Sequence, residues 1–211
     1  TLKGIRRTLG TAQEKKTAAT VDTIYQLLAR IDSNTTTGKR DKSLLLLGFA
    51  GAFRRSELAA LQVNDIEFVS EGLRVTIRQS KTDQEGQGQQ IAIPQGKLKV
   101  MTALKDYLQA AGIQSGAVFR SFKKGGVIMS ESAISDRTVS DLVKKYALLA
   151  GLDPAQFAGH SLRSGFITSA AEAGANLFKI MDVSRHKSVQ TVRGYVRAAE
   201  AFKDHAGSSF L

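Results

Sequence analysis

Residues 158–200 read AGHSLRSGFITSAAEAGANLFKIMDVSRHKSVQTVRGYVRAAE, and the meaning of the whole chain turns on this stretch. His160 and Arg163 are three residues apart, so a helix sets them on one face about a turn apart. His186 and Tyr195 are nine apart, with a polar run between them and a helix cap at Ser188. That arrangement predicts a short helix from near Ser188 that carries Tyr195 back toward the same pocket. A tyrosine hydroxyl is a usable nucleophile, but with a pKa of about 10 only ~0.1% of it is ionised at neutral pH. It needs a base and a positive field, and histidine and arginine side chains supply both.

The composition is compatible with such a site. The chain has 211 residues, is 42% hydrophobic and holds two prolines, which suits one or two domains with a sizeable core. Its net charge of +11 favours a polyanion partner. Nucleic acid comes before membrane, because no basic amphipathic helix with a Trp or Phe face is visible. The absence of cysteine excludes disulfides and thiolate metal sites. The three histidines have no carboxylates at ligand spacing, which argues against zinc, and no cofactor is called for. With no signal peptide and no long apolar run, the chain reads as soluble and cytoplasmic. It begins at Thr1 rather than Met, which suggests that an upstream portion has been removed.

Further upstream, residues 1–16 are basic, lack apolar periodicity and read as a linker or arm. Val21, Ile24, Leu27, Leu28 and Ile31 mark one face of a helix, ended by the polar run 33–38. Residues 44–50 are apolar all round, as in a buried helix. This run stops at Arg54 and Arg55, where Ser56 reads as the N-cap of a short helix from Glu57 to Leu61. Leu73, Val75 and Ile77 alternate with polar residues and Ile91–Ile93 returns, predicting a small antiparallel sheet of two or three strands. The polar loop between them carries Lys81. Leu98, Met101, Leu104 and Leu108 line another helix. Residues 120–126 read as a basic loop offering Lys123 and Lys124 to phosphates. A last helix before the key stretch spans 135–150.

The ordered set is more specific than any member of it. Arg-x-Ser-Glu-Leu follows a buried helix and Ser-Lys-Thr lies in a hairpin. Gly-His-Ser-Leu-Arg then opens a helix, and a His follows with a Tyr nine residues on. In this the chain resembles the catalytic domain of the tyrosine recombinases, the phage-type integrases, from about Thr17 to Ala199. The resemblance implies a mainly helical α+β fold with a small antiparallel sheet. It implies that Arg54 and Arg163 bind the non-bridging oxygens of a scissile DNA phosphate and that His160 manages the tyrosine proton. His186 would donate to the phosphate, and Lys81 would protonate the departing 5′-oxygen. Tyr195 would attack phosphorus to give a 3′-phosphotyrosyl bond, with Glu57 buttressing the site. Arg55 matches a variable position and is placed with Lys123, Lys124 and Arg185 among the DNA contacts. Two departures are visible: Arg185 stands where many members have glycine, and Gly194 precedes the nucleophile.

The same resemblance divides the chain into a linker or arm at 1–16, a catalytic domain at 17–200 and a tail at 201–211. The tail would dock on a neighbouring catalytic domain or fold back on its own. A helical domain upstream would clamp DNA from the opposite side. The implied partner is double-stranded DNA at a specific site, with four copies assembled on it, a monomer when free, no membrane, and a place at the nucleoid of a prokaryote or phage. Two other readings stand beside it: a type IB topoisomerase that relaxes supercoils as a monomer, and a DNA-binding regulator on the same scaffold. A hydrolase using Ser161 with His160 fails, since adjacent helix residues point in different directions.

Overall fold

The computed structural model describes residues 16–78, 88–123 and 128–199. At its centre lies helix α2, Thr36–Ala50. Its Leu44, Leu45, Leu46 and Leu47 are all fully buried, as a helix apolar on every side must be. Helix α1, Val21–Leu28, turns Ile24 and Leu27 into the same core. The polar run 33–38 does more than end α1. The Thr35 hydroxyl accepts the Gly38 amide at 3.0 Å and caps α2, which therefore starts eight residues ahead of the leucine run.

A tight turn at 51–54 leads from α2 into α3, Arg55–Ala60. Ser56 is not its cap. Arg54 takes that position, and the Glu57 carboxylate reaches back to accept the Arg54 amide at 2.9 Å, the return half of a capping box. Strands β1 (Ile66–Val69), β2 (Gly72–Ile77) and β3 (Gln89–Pro94) follow as an antiparallel meander in that order. Leu73, Val75, Ile77, Ile91 and Ile93 point into the core, as the alternation predicts. Helix α4, Val100–Ala110, packs along α2.

The basic segment from Arg120 is not simply a loop. Strands β4 (Arg120–Phe122) and β5 (Ile128–Ala133) pair antiparallel. The cause is that Arg120 turns inward: its guanidinium donates to the carbonyls of Ala117 (3.0 Å) and Ser115, and its own carbonyl accepts from buried Arg40 at 3.1 Å. Helix α5, Asp136–Leu149, is capped by the Ser135 hydroxyl on the Thr138 amide at 3.1 Å.

The key stretch forms three helices: α6 (His160–Glu172), α7 (Leu177–Ser184) and α8 (Val189–Ala199). They share a small core of Ile167, Ala171, Ile180 and Val192, and Phe166 packs against both this core and the main one. Two glycines set where α6 lies. A Cβ on Gly48 would fall 2.8 Å from side-chain carbons of Leu162 and Leu58, so this glycine lets α2 approach α6 and α3. A Cβ on Gly165 would fall 1.8 Å from the Ala19 carbonyl oxygen. Through that contact the segment entering α1 is strapped onto α6, with the Ala19 amide donating to the Ser161 carbonyl and the Val21 amide to the Ser169 hydroxyl, both at 2.9 Å. No helix among the described residues is long and apolar enough to cross a membrane.

Candidate active site

Two turns, far apart in sequence, meet at the end of α2. One is the 51–54 turn; the other, 185–188, joins α7 to α8. Ala52 in the first has φ 44°, an uncommon conformation for a residue with a Cβ, and is fully buried. Its carbonyl oxygen accepts from the guanidinium of Arg163 at 2.7 Å and from that of Arg185 at 2.8 Å. Charge-assisted bonds of this kind are about twice as strong as neutral ones and offset the cost of the unusual backbone.

Arg163 is 1% exposed and reaches the site from the first turn of α6. Its second Nη lies 3.3 Å from both ring nitrogens of His186, whose Nδ1 is 2.9 Å from the Ser184 hydroxyl. Arg54 is partly exposed beside them and is held through its guanidinium by Glu57 Oε1. His160, at the start of α6, is solvent-exposed at the rim. Tyr195 packs half-buried against the small core of α6–α8, within the electrostatic reach of Arg163. The structure thus brings Arg54, Glu57, His160, Arg163, His186 and Tyr195 to one place.

The other expected residues fall differently. Lys81 and Lys124 lie outside the described residues. Arg55 is exposed on α3 and paired with Asp136 at 3.0 Å, and Lys123 is exposed. Arg185, expected among the DNA contacts, is turned inward instead: its side chain is 2% exposed and its guanidinium bonds Glu57 and three backbone carbonyls. Gly194 sits inside an unbroken α8. Sequence reasoning missed the Ala52 carbonyl, which no side-chain pattern announces. It also missed Ser184, whose only signal is its place two residues before His186.

Glu57 pairs with Arg54 and Arg185, and Arg163 is bound nearby to the Ala52 carbonyl. Three guanidinium groups thus stand near a single carboxylate, and the site carries an unbalanced positive field that suits an anion. Burial and this field together displace Glu57, His160, Arg163, His186 and Tyr195 from their ordinary values. Burial lowers the pKa of Arg163 first, then Arg54 and Arg185, to about 9, which leaves it charged at neutral pH. Burial would raise Glu57, but the charge of Arg185 and the hydrogen bonds from Arg54 hold it below the usual carboxylate value. His186 is pushed down to about 4 by loss of solvation, then by Arg163 and Arg54, and so is neutral at pH 7. Crowding by protein atoms, Arg163 and Arg54 lower His160 as well. Burial raises the Tyr195 hydroxyl while Arg163 works against it. At neutral pH the Tyr195 hydroxyl is therefore protonated and both histidines are neutral.

A pH dependence of stability follows. Unfolded His186 takes a proton near its ordinary value, whereas folded His186 refuses it until about pH 4. The unfolded state therefore binds more protons within this window, and stability falls as pH drops through it. The expected loss from His186, discounted for its partial exposure, is on the order of 2 kcal/mol between pH 7 and pH 4. Urea denaturation of the wild type and His186→Gln checks this: the variant should show a shallower acid slope. Parallel slopes would remove His186 as the source.

Residues 17–201 match the phage integrase family. The chain is 43% identical over 208 residues to an integrase/recombinase XerD homolog of Selenomonas ruminantium, covering 97% of this chain and 61% of that protein. It is 31% identical over 187 residues to tyrosine recombinase XerD of Xanthomonas axonopodis pv. citri, covering 86% and 58%. Among solved structures, the XerH site-specific recombinase in a post-cleavage complex with its difH substrate superposes with a TM-score of 0.72. There the identity is 16%, over 88% of this chain and 51% of that one. The Tn1549 transposon integrase bound to transposon right-end DNA gives 0.65 at 20% identity, over 90% and 64%. These likenesses show a shared fold. The chain spans about three fifths of the length of the curated relatives it matches.

Proposed function

The chain belongs to the phage integrase family, and from that premise we propose that it is the catalytic part of a site-specific recombinase that cuts and rejoins double-stranded DNA. One observation carries the reading. Buried Arg163 is fixed by the Ala52 carbonyl, lies against His186 and acts on the field at Tyr195, while Arg54 stands beside it on Glu57.

The reaction runs as an in-line displacement at phosphorus. Arg54 and Arg163 take the non-bridging phosphate oxygens. Negative charge grows on these oxygens in the transition state, and donors already in place stabilise it without reorganisation. The phosphate also offsets the field that depresses the histidines, so DNA binding raises their pKa values. His160 accepts the Tyr195 proton as the phenolic oxygen attacks. His186, whose neutral ring still carries one N–H, donates it to a phosphate oxygen. The phosphorus–5′-oxygen bond breaks, and Lys81 gives that oxygen its proton. The product is a 3′-phosphotyrosyl ester at Tyr195 that keeps the energy of the broken bond, so attack by another 5′-hydroxyl rejoins DNA without a nucleotide. Four copies on two duplexes would let strands exchange between sites.

The test is covalent capture. A nicked substrate that loses its 5′-end on cleavage should trap the chain as an adduct that survives denaturing electrophoresis, and should do so in excess EDTA. An adduct or cut that appears only when Mg²⁺ is returned would instead point to metal-assisted hydrolysis.

A further inference from the structure

We propose that Arg185 is a positioning residue of this active site: its buried guanidinium locks the turn that presents His186 to the turn that presents Arg54. The inference rests on the recombinase reading and extends it to a side chain outside the reacting set.

The bonding is specific. One Nη of Arg185 donates to Gly51 O at 2.9 Å and to Val183 O at 2.6 Å. The other donates to Ala52 O at 2.8 Å and to Glu57 Oε2 at 2.9 Å. The carbon of the guanidinium lies 5.3 Å from the centre of the Phe53 ring, so residues 51, 52 and 53 all contact it. Glu57 in turn uses its Oε1 on the Arg54 guanidinium and its Oε2 on the Arg54 amide. Arg185 therefore holds the carboxylate that aims Arg54, and its own backbone leads directly into His186.

The position is held at local cost. Arg185 has φ 56° and ψ 41°, a left-handed conformation that is unfavourable for an L-residue with a Cβ and costs glycine almost nothing. Its Nε is buried with no hydrogen-bond partner among the described residues, a further penalty. Buried ion pairs contribute little net stability compared with apolar packing. What the planar fork supplies is geometry, because it binds a carboxylate and two neighbouring carbonyls at fixed angles, which a flexible ammonium does not. Loss of that geometry should loosen Arg54 and His186 together while leaving the exposed basic surface as it was.

The experiment compares wild type, Arg185→Lys and Arg185→Gly with Glu57→Gln and the double variants, on a nicked substrate under single-turnover conditions. Wild type must first form the adduct; if it does not, the recombinase reading fails and Arg185 is not in question. Given that adduct, Arg185→Lys should keep its DNA affinity and salt slope but cleave about 10–10²-fold more slowly, as expected for a misplaced reacting group. Glu57→Gln should add little to the Arg185→Lys loss, since both act through one linkage. In Arg185→Gly, whose backbone suits glycine, millimolar guanidinium should restore part of the rate. If Arg185→Gly does not fold, the lysine series decides alone. A wild-type rate in Arg185→Lys, a lost DNA affinity at unchanged rate, or losses that simply add with Glu57→Gln would each overturn the proposal.

Discussion

Tyr195→Phe is expected to abolish adduct formation while leaving the fold and DNA affinity unchanged. The substitution removes a single oxygen from a half-buried ring packed against Ile167, Ala171, Ile180 and Val192, and no described hydrogen bond depends on that oxygen. Removal of a nucleophile from a cooperating set costs on the order of 10⁶ in rate where it has been measured, so capture should drop below detection. Denaturing electrophoresis and a filter-binding titration on the same samples read the two quantities separately. An adduct surviving in the variant would move the nucleophile elsewhere, but Tyr107 and Tyr146 are poor substitutes. The Tyr107 hydroxyl is buried on the Val118 carbonyl, and that of Tyr146 is held by Asp41 at 2.7 Å.

The second large effect belongs to Arg163→Lys. Lysine keeps the charge but cannot span the Ala52 carbonyl and His186 together, because it offers one compact ammonium in place of a planar fork. Single-turnover cleavage should fall by about 10²–10³, the loss typical of one preorganised anion donor. Stability should fall too, by about 1–3 kcal/mol, since a buried carbonyl is left with less than its full complement. The two must be separated by measuring the rate well below the variant's own melting temperature. Cleavage within tenfold of wild type would mean that Arg163 serves the fold rather than the reaction.

Much of this arrangement could be read in advance, for identifiable reasons. The leucines of α2 and the alternation of Leu73, Val75 and Ile77 are set by burial on one side or all sides, a property visible residue by residue. His160 and Arg163, three apart, are likewise fixed by helix geometry. What escaped depended on contacts between distant segments. Arg120 has the composition of a surface loop, yet it turns inward because the carbonyls of Ala117 and Ser115 wait there. Ser56 has a better capping side chain than Arg54, but Glu57 reaches the Arg54 amide and moves the helix start forward. Arg185, expected among the DNA contacts, escaped for the same reason: a charged side chain beside a candidate site histidine reads as a surface group until Glu57, distant in sequence, is seen against it.

The main-chain oxygen of Ala52 receives both Arg163 and Arg185, and this makes the centre of the site invisible to mutational mapping. No codon removes a carbonyl. An alanine scan passes over the position because alanine is already there, and exchange for glycine relaxes φ without touching the acceptor. A map of sensitive positions would therefore show arginines clustered around an apparent blank. Backbone chemistry reaches it: an ester in place of the following amide bond keeps the oxygen but weakens it as an acceptor.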